Sequence, residues 1–203
     1  METSYPSDYR PRPVKEQFER LKHFFWRLKS YDVGAAEREL LKGAEACFLI
    51  PRWQDVGASN GGRSSFFAYD SDVYRRACRK VRDELRRQRK DFTSDLNWSR
   101  LRQHWKKVAA FERLAKEQPG HDVLVVPAQF GLRHFFTPVE EVRASIEGGE
   151  FGLGVFEVGI MLLIHPERMM EYNDPWIDCP GDEYTEDGEV FDRAPCLNYT
   201  GFD

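Results

Sequence analysis

Two groups of residues have the types needed for acid–base chemistry. Glu157 is a carboxylate inside the apolar run 151–164. Burial there would raise its pKa toward the range of a general base. Arg133 and His134 follow the strand-like segment DVLVV (122–126), in the loop PAQFGLRH that also carries Gln129. A strand end fixes such side chains while the loop leaves them accessible, and Gly131 gives that loop backbone freedom. Convergence of the two groups would make a small enzyme, with His134 or Arg133 as partner to Glu157. The competing reading is a surface loop whose Arg133 pairs with a neighbouring acid.

A second group suits anion binding. Residues 75–107 hold 13 Lys or Arg against 4 Asp or Glu, a local net of +9. Residues 167–203 hold 2 basic against 11 acidic residues, a local net of −9. Such blocks either neutralise each other within the fold or meet separate partners, and the overall net charge of −4 hides both. Arg75, Arg79, Arg82, Arg86, Arg87, Lys90, Arg102 and Lys106 are the expected cationic face, and phosphate binding on it would depend steeply on salt. Trp98, His104 and Trp105 lie among them and could stack on bases, although the tryptophan spacing also serves a core.

The expected function is a non-enzymatic binding or regulatory protein. Its basic face would contact a polyanion, nucleic acid first, or an acidic protein surface, with the acidic C-terminal segment as modulator. The alternatives are the small enzyme and a structural subunit of a homo-oligomer or larger assembly. In the last case Phe24, Trp26 and Phe66 would anchor the interface.

Other patterns fail on context. GASNGGRS (57–64) fits a phosphate loop except for Arg63, but neither the required strand nor the following helix start flanks it. DEYTEDG (182–188) lacks oxygen ligands at the third position and glycine at the sixth, as a calcium loop needs. The glycine run 152–159 has Glu157 where a dinucleotide fingerprint needs glycine. Histidines and cysteines are too scattered for zinc, so no metal and no cofactor is expected. Cys47, Cys78, Cys179 and Cys196 read as reduced thiols, with a Cys179–Cys196 bridge as the minor alternative. No signal-peptide pattern and no apolar run of membrane-spanning length is seen, so a cytoplasmic, non-membrane protein is expected.

The elements that must position these residues follow from periodicity. Val14, Phe18, Leu21, Phe25 and Leu28 mark one helix, and 35–46 a second after Gly34. Val73, Ala77, Val81 and Leu85 mark a third. A fourth, capped by Ser94, would run to Glu117 on the stripe Trp98, Leu101, Trp105, Val108 and Ala115. Thr137-Pro138-Val139-Glu140 starts a helix that ends at Gly148. Leu153, Phe156, Ile160 and Leu163 define a packing helix, with Glu157 at its rim or buried against an arginine such as Arg133. The fold class is α+β, predominantly helical: about six helices around a shared core, a few short strands and an extended acidic C-terminal segment. Residues 1–12 form a flexible arm, 13–172 the core domain and 173–203 the acidic segment.

Overall fold

The structure is a computed structural model that describes residues 5, 8–58, 71–90, 92–94, 96–146, 149–172 and 174–202. Most of GASNGGRS, together with Phe66 and Gly148, therefore lies outside the described residues. In chain order the elements are α1 (Val14–Phe24), α2 (Val33–Ala36), β1 (Ala46–Pro51), α3 (Trp53–Gly57), α4 (Ser71–Gln88), β2 (Thr93–Ser94), β3 (Leu101–Gln103) and α5 (Trp105–Glu117). They continue with β4 (Val123–Ala128), α6 (Val139–Ser145), α7 (Val155–Ile164), β5 (Ile177–Asp178), β6 (Asp182–Tyr184), β7 (Cys196–Asn198) and β8 (Gly201–Phe202). About 44% of the described residues are helical, and three small sheets make the class mixed α+β.

The centre of the core is α7, every residue of which is buried. A helix apolar on all sides has to be enclosed, and α4, β1 and α1 enclose it. Gly159 sets the approach to α4, since a Cβ there would lie 2.6 Å from Val81 Cγ1. On α4 the buried residues are Val73, Tyr74, Ala77, Cys78, Val81 and Leu85, the face that the apolar spacing predicts.

β1 and β4 form an antiparallel pair with Leu49 opposite Val125. Two isolated strands would leave both outer edges unpaired. Here two buried glutamines fill that role. Gln17 of α1 accepts from Leu49 N at 3.0 Å and donates to the Cys47 carbonyl at 2.9 Å. Gln118 accepts from Val125 N at 2.8 Å and donates to the Val125 carbonyl at 3.0 Å. Side-chain amides thus complete the ladder on both edges.

The C-terminal segment is a structural part of the core. β2, β8, β7 and β5 make one sheet, and β3 pairs antiparallel with β6, Arg102 standing opposite Glu183. Ile177, Cys179, Asp182, Leu197 and Phe202 are buried. All four cysteines are free thiols. The described part of the expected N-terminal arm is docked as well: Tyr9 is buried, edge-on to Phe130 and His165.

Several expected boundaries are corrected. The second helix is only α2, because Asp32 caps it at Ala35 N and Leu40 and Leu41 remain exposed. Ser94 lies in β2, and the next helical turn starts only at Trp98, capped by Asn97. The fourth helix is broken: Asn97 caps a single 3-10 turn at 98–100, β3 turns aside to pair with β6, and α5 restarts behind His104, whose Nδ1 accepts from Lys106 N. Trp98 is accordingly buried and Trp105 exposed, so they share no stripe.

Candidate functional site

The outer side of α4 carries the cationic residues. Arg75, Arg79, Arg82 and Arg86 follow one another at steps of four, three and four, so they form one row on the surface of α4, and Lys90 lies two residues past its end. Two are fixed by neighbours. Arg75 Nε donates to the Leu101 carbonyl at 3.0 Å, and the Arg82 guanidinium lies 5.7 Å from the Trp98 ring centre. Arg75 and Arg82 also touch Asp72 and Asp83. Arg79, Arg86 and Lys90 are exposed and make no hydrogen bond or ion pair with another described residue. Arg87, one step off the row, pairs with Glu84.

Other cations of the same helix have structural work. Arg76 Nε donates to the Gly57 carbonyl at 3.0 Å, and Lys80 Nζ to the Val56 carbonyl at 2.7 Å. They satisfy carbonyls at the end of α3, where positive charge is favourable. Arg102 and Lys106 lie off α4. Arg102 Nε donates to Glu183 at 2.6 Å and stacks on Phe191, while Lys106 Nζ donates to the Arg143 carbonyl at 3.0 Å. The acidic segment therefore reaches Arg102, whereas Arg75 and Arg82 of the α4 row contact Leu101, Trp98, Asp72 and Asp83.

The second constellation is a buried ionic cluster. Lys107 Nζ donates to Asp182 Oδ1 at 2.7 Å, Tyr74 Oη at 2.8 Å and Glu157 Oε2 at 3.1 Å. Asp182 Oδ2 accepts from Tyr74 Oη at 2.6 Å and from Val155 N at 2.8 Å. Glu157 Oε2 also takes the Gly154 N–H at 2.9 Å, closing the first turn of α7, while Oε1 has no partner among the described residues. Side-chain exposure of Lys107, Glu157 and Asp182 is at most 1%, so the cluster is sealed from water. Burial pushes the Glu157 carboxyl up, and Lys107 only partly opposes this. Burial alone would lower Lys107, but Asp182 and Glu157 together hold it above the usual lysine value. Burial likewise raises the Tyr74 hydroxyl and Cys78 thiol well above their ordinary values.

Glu157 is thus buried and held by Lys107, which corrects both its expected rim position and its expected partner Arg133. Arg133 is exposed and pairs with Glu150. His134 sits half-buried in a 3-10 turn at 132–134, which Gln129 Oε1 stabilises by accepting from Gly131 N and Arg133 N. Neither Arg133 nor His134 is among the partners of Glu157, whose hydrogen bonds are with Lys107 and Gly154. The acidic turn uses its own carboxylate: Asp187 Oδ1 accepts from Thr185 Oγ1, Glu189 N and Val190 N, which pulls Asp187 down to about 2. Among the described residues no three His, Cys, Asp or Glu converge as metal ligands, and no helix is long and apolar enough to cross a membrane.

Lys107 as a buried ion-pair residue escaped the sequence reading, as did Tyr74 and Asp182. A signal existed: Lys107 lies three, four and seven residues before Ala110, Phe111 and Leu114, on the apolar side of α5. The chain matches no protein-family model, no curated protein and no solved structure.

Proposed function

We propose that this protein is a non-enzymatic binding protein that holds a polyanion, nucleic acid in particular, along the outer face of α4. The observation that carries the reading is the row Arg75, Arg79, Arg82 and Arg86, followed by Lys90 just past the helix, with Arg79, Arg86 and Lys90 exposed and not ion-paired to described residues. The helix from Arg75 to its end at Gln88 extends roughly 20 Å, long enough to follow several phosphates. Arg75 and Arg82 are held at their neighbours before any ligand arrives, which reduces the ordering cost of binding.

The acidic segment acts as modulator through Glu183, which neutralises Arg102 at the margin of this surface. Exposed Trp26, with Arg27 stacked 4.8 Å from its ring centre, and half-buried Phe24 remain the anchors for an assembly reading. The test is fluorescence anisotropy with labelled duplex and single-stranded oligonucleotides at low salt. The combined R79E, R86E and K90E variant loses at least about tenfold in affinity for both, as expected from removing phosphate contacts. No binding by the wild-type protein, or full binding by the variant, overturns the reading.

A further inference from the structure

Trp105 adds a second kind of contact to this surface. It opens α5 and is 66% exposed, although the sequence periodicity assigns it to the apolar stripe. A tryptophan that buries little of its ring contributes little to the core. Its surroundings set it apart from other exposed aromatic residues. His104 stacks beside it with ring centres 5.8 Å apart and planes 28° from parallel. Lys106 Nζ lies 6.0 Å from its ring centre. The His104 ring is itself pinned, since its Nδ1 accepts the Lys106 N–H at 3.2 Å, and burial keeps its pKa low, favouring the neutral imidazole.

The ring is also connected to the cationic row. Arg75, the first residue of that row, donates to the carbonyl of Leu101 in β3. Arg102 follows in the same strand, and three residues later the chain reaches Trp105. Along the chain, Arg102 and then a stacked imidazole–indole pair with a lysine beside it follow the residue that Arg75 holds. The acidic turn lies at the other end of this β-pair: Gln103 faces Asp182, whereas Arg100 receives the Thr185 N–H on its carbonyl. Trp105 thus follows the end of β3 that faces Asp182, whereas residues 186–192 follow the opposite end of the pair and reach back only to Arg102, through Phe191.

We infer that Trp105 stacks on an unpaired base, so that the polyanion is a single-stranded nucleic acid whose phosphates follow the α4 row. This rests on the reading of α4 as a phosphate-binding face and adds the class of strand. An exposed indole beside a cationic track binds strands without sequence preference, because every base offers a π-face. In a duplex those faces are covered by neighbouring bases, and the ring has nothing to stack on.

The experiment compares three labelled probes of about twelve nucleotides or base pairs: a pyrimidine DNA strand, the RNA strand of the same sequence, and the DNA duplex. The wild-type protein binds both strands more tightly than the duplex, and its tryptophan emission is quenched by the strands. Trp105→Ala weakens strand binding by at least about fivefold, the equivalent of about 1 kcal/mol, and leaves duplex binding within about twofold. Trp105→Phe keeps most of the affinity but loses the quench. Equal weakening of strand and duplex by Trp105→Ala, or no weakening of either, overturns the inference while the α4 variant still decides the phosphate reading. Absence of all binding by the wild-type protein at low salt overturns both.

Discussion

Lys107 Nζ and Asp182 Oδ1 lie 2.7 Å apart in the protein interior, with both side chains excluded from solvent. This contact joins the basic stretch to the acidic one and makes the C-terminal segment part of the fold. Breaking a buried ion pair from one side strands the other charge. Lys107→Met, which leaves Asp182 and Glu157 without their cation, is expected to lower the unfolding free energy by about 3–5 kcal/mol in urea titrations, and Asp182→Asn, which leaves Lys107 its Glu157 partner, by less. A loss under about 1 kcal/mol would show that the cluster is not held as described. Truncation before residue 182 would remove a core ion pair, so substitutions are the better probe of the acidic segment.

Gly154 is required by the same cluster. A Cβ at that position would lie 2.5 Å from both Asp182 Oδ1 and Lys107 Nζ. Gly154→Ala should therefore cost about 1–3 kcal/mol by displacing the ions. At Gly188 a Cβ meets nothing within 4 Å, and the cost comes from its positive φ of 92° alone. Comparing the Lys107→Met/Gly154→Ala double variant with the single ones separates the clash from backbone effects, because coupled sites are non-additive.

His165 gives a pH signature. Burial lowers its pKa to about 4, with Arg12 donating to Nδ1 at 2.9 Å and Glu167 close by. The unfolded chain binds this proton near pH 6.5, before the folded protein does. The contribution is fully present above pH 6.5 and is lost as pH falls toward 4, amounting to about 3 kcal/mol across that window. Denaturation midpoints measured from pH 7 to pH 4.5 should fall more steeply for the wild-type protein than for His165→Gln. Parallel curves would mean that His165 does not titrate as a buried neutral imidazole.

The sequence was legible where periodicity or local chemistry decided the outcome. The inward face of α4 follows from apolar spacing; the strand expected over 122–126 runs on through Pro127 to Ala128, and the packing helix expected from Leu153 starts at Val155 and is buried on all sides. The break before α5 does not follow from spacing, because it depends on β3 pairing with β6, some eighty residues away in the chain. Leu40 and Leu41 satisfied a helical pattern but have no neighbour to cover them. Glu157 was marked as anomalous, yet its partner could not be chosen among many cations by spacing. Lys107 had the position for it and was counted as surface charge. Of the expected cations, Arg75, Arg79, Arg82 and Arg86 share one side of α4 by spacing alone, while Arg102 and Lys106 lie off it, and the roles of Arg76 and Lys80 depend on where α3 ends.

Glu183 tests the modulator role without disturbing the core. Its carboxylate neutralises Arg102, whose guanidinium is half exposed. Glu183→Gln should tighten oligonucleotide binding a few-fold at low salt and lose that advantage at high salt, as screening removes the charge effect. Unfolding free energy should change by under about 1 kcal/mol, as expected for an exposed pair. Unchanged affinity at low salt would place Arg102 outside the binding surface.

The most direct test of the central claim is the salt dependence of oligonucleotide affinity for the wild-type protein and a variant carrying R79Q, R86Q and K90Q. These side chains are exposed, so the variant should unfold within about 0.5 kcal/mol of wild type for each substitution. Each phosphate contact contributes about 0.7 to 0.9 to the slope of log K against log salt, so three lost contacts reduce its magnitude by about 2 to 3. A reduction of that size, with weaker binding at every salt concentration, is the predicted result. An unchanged slope in a folded variant would contradict the assignment of α4 as the phosphate-binding face.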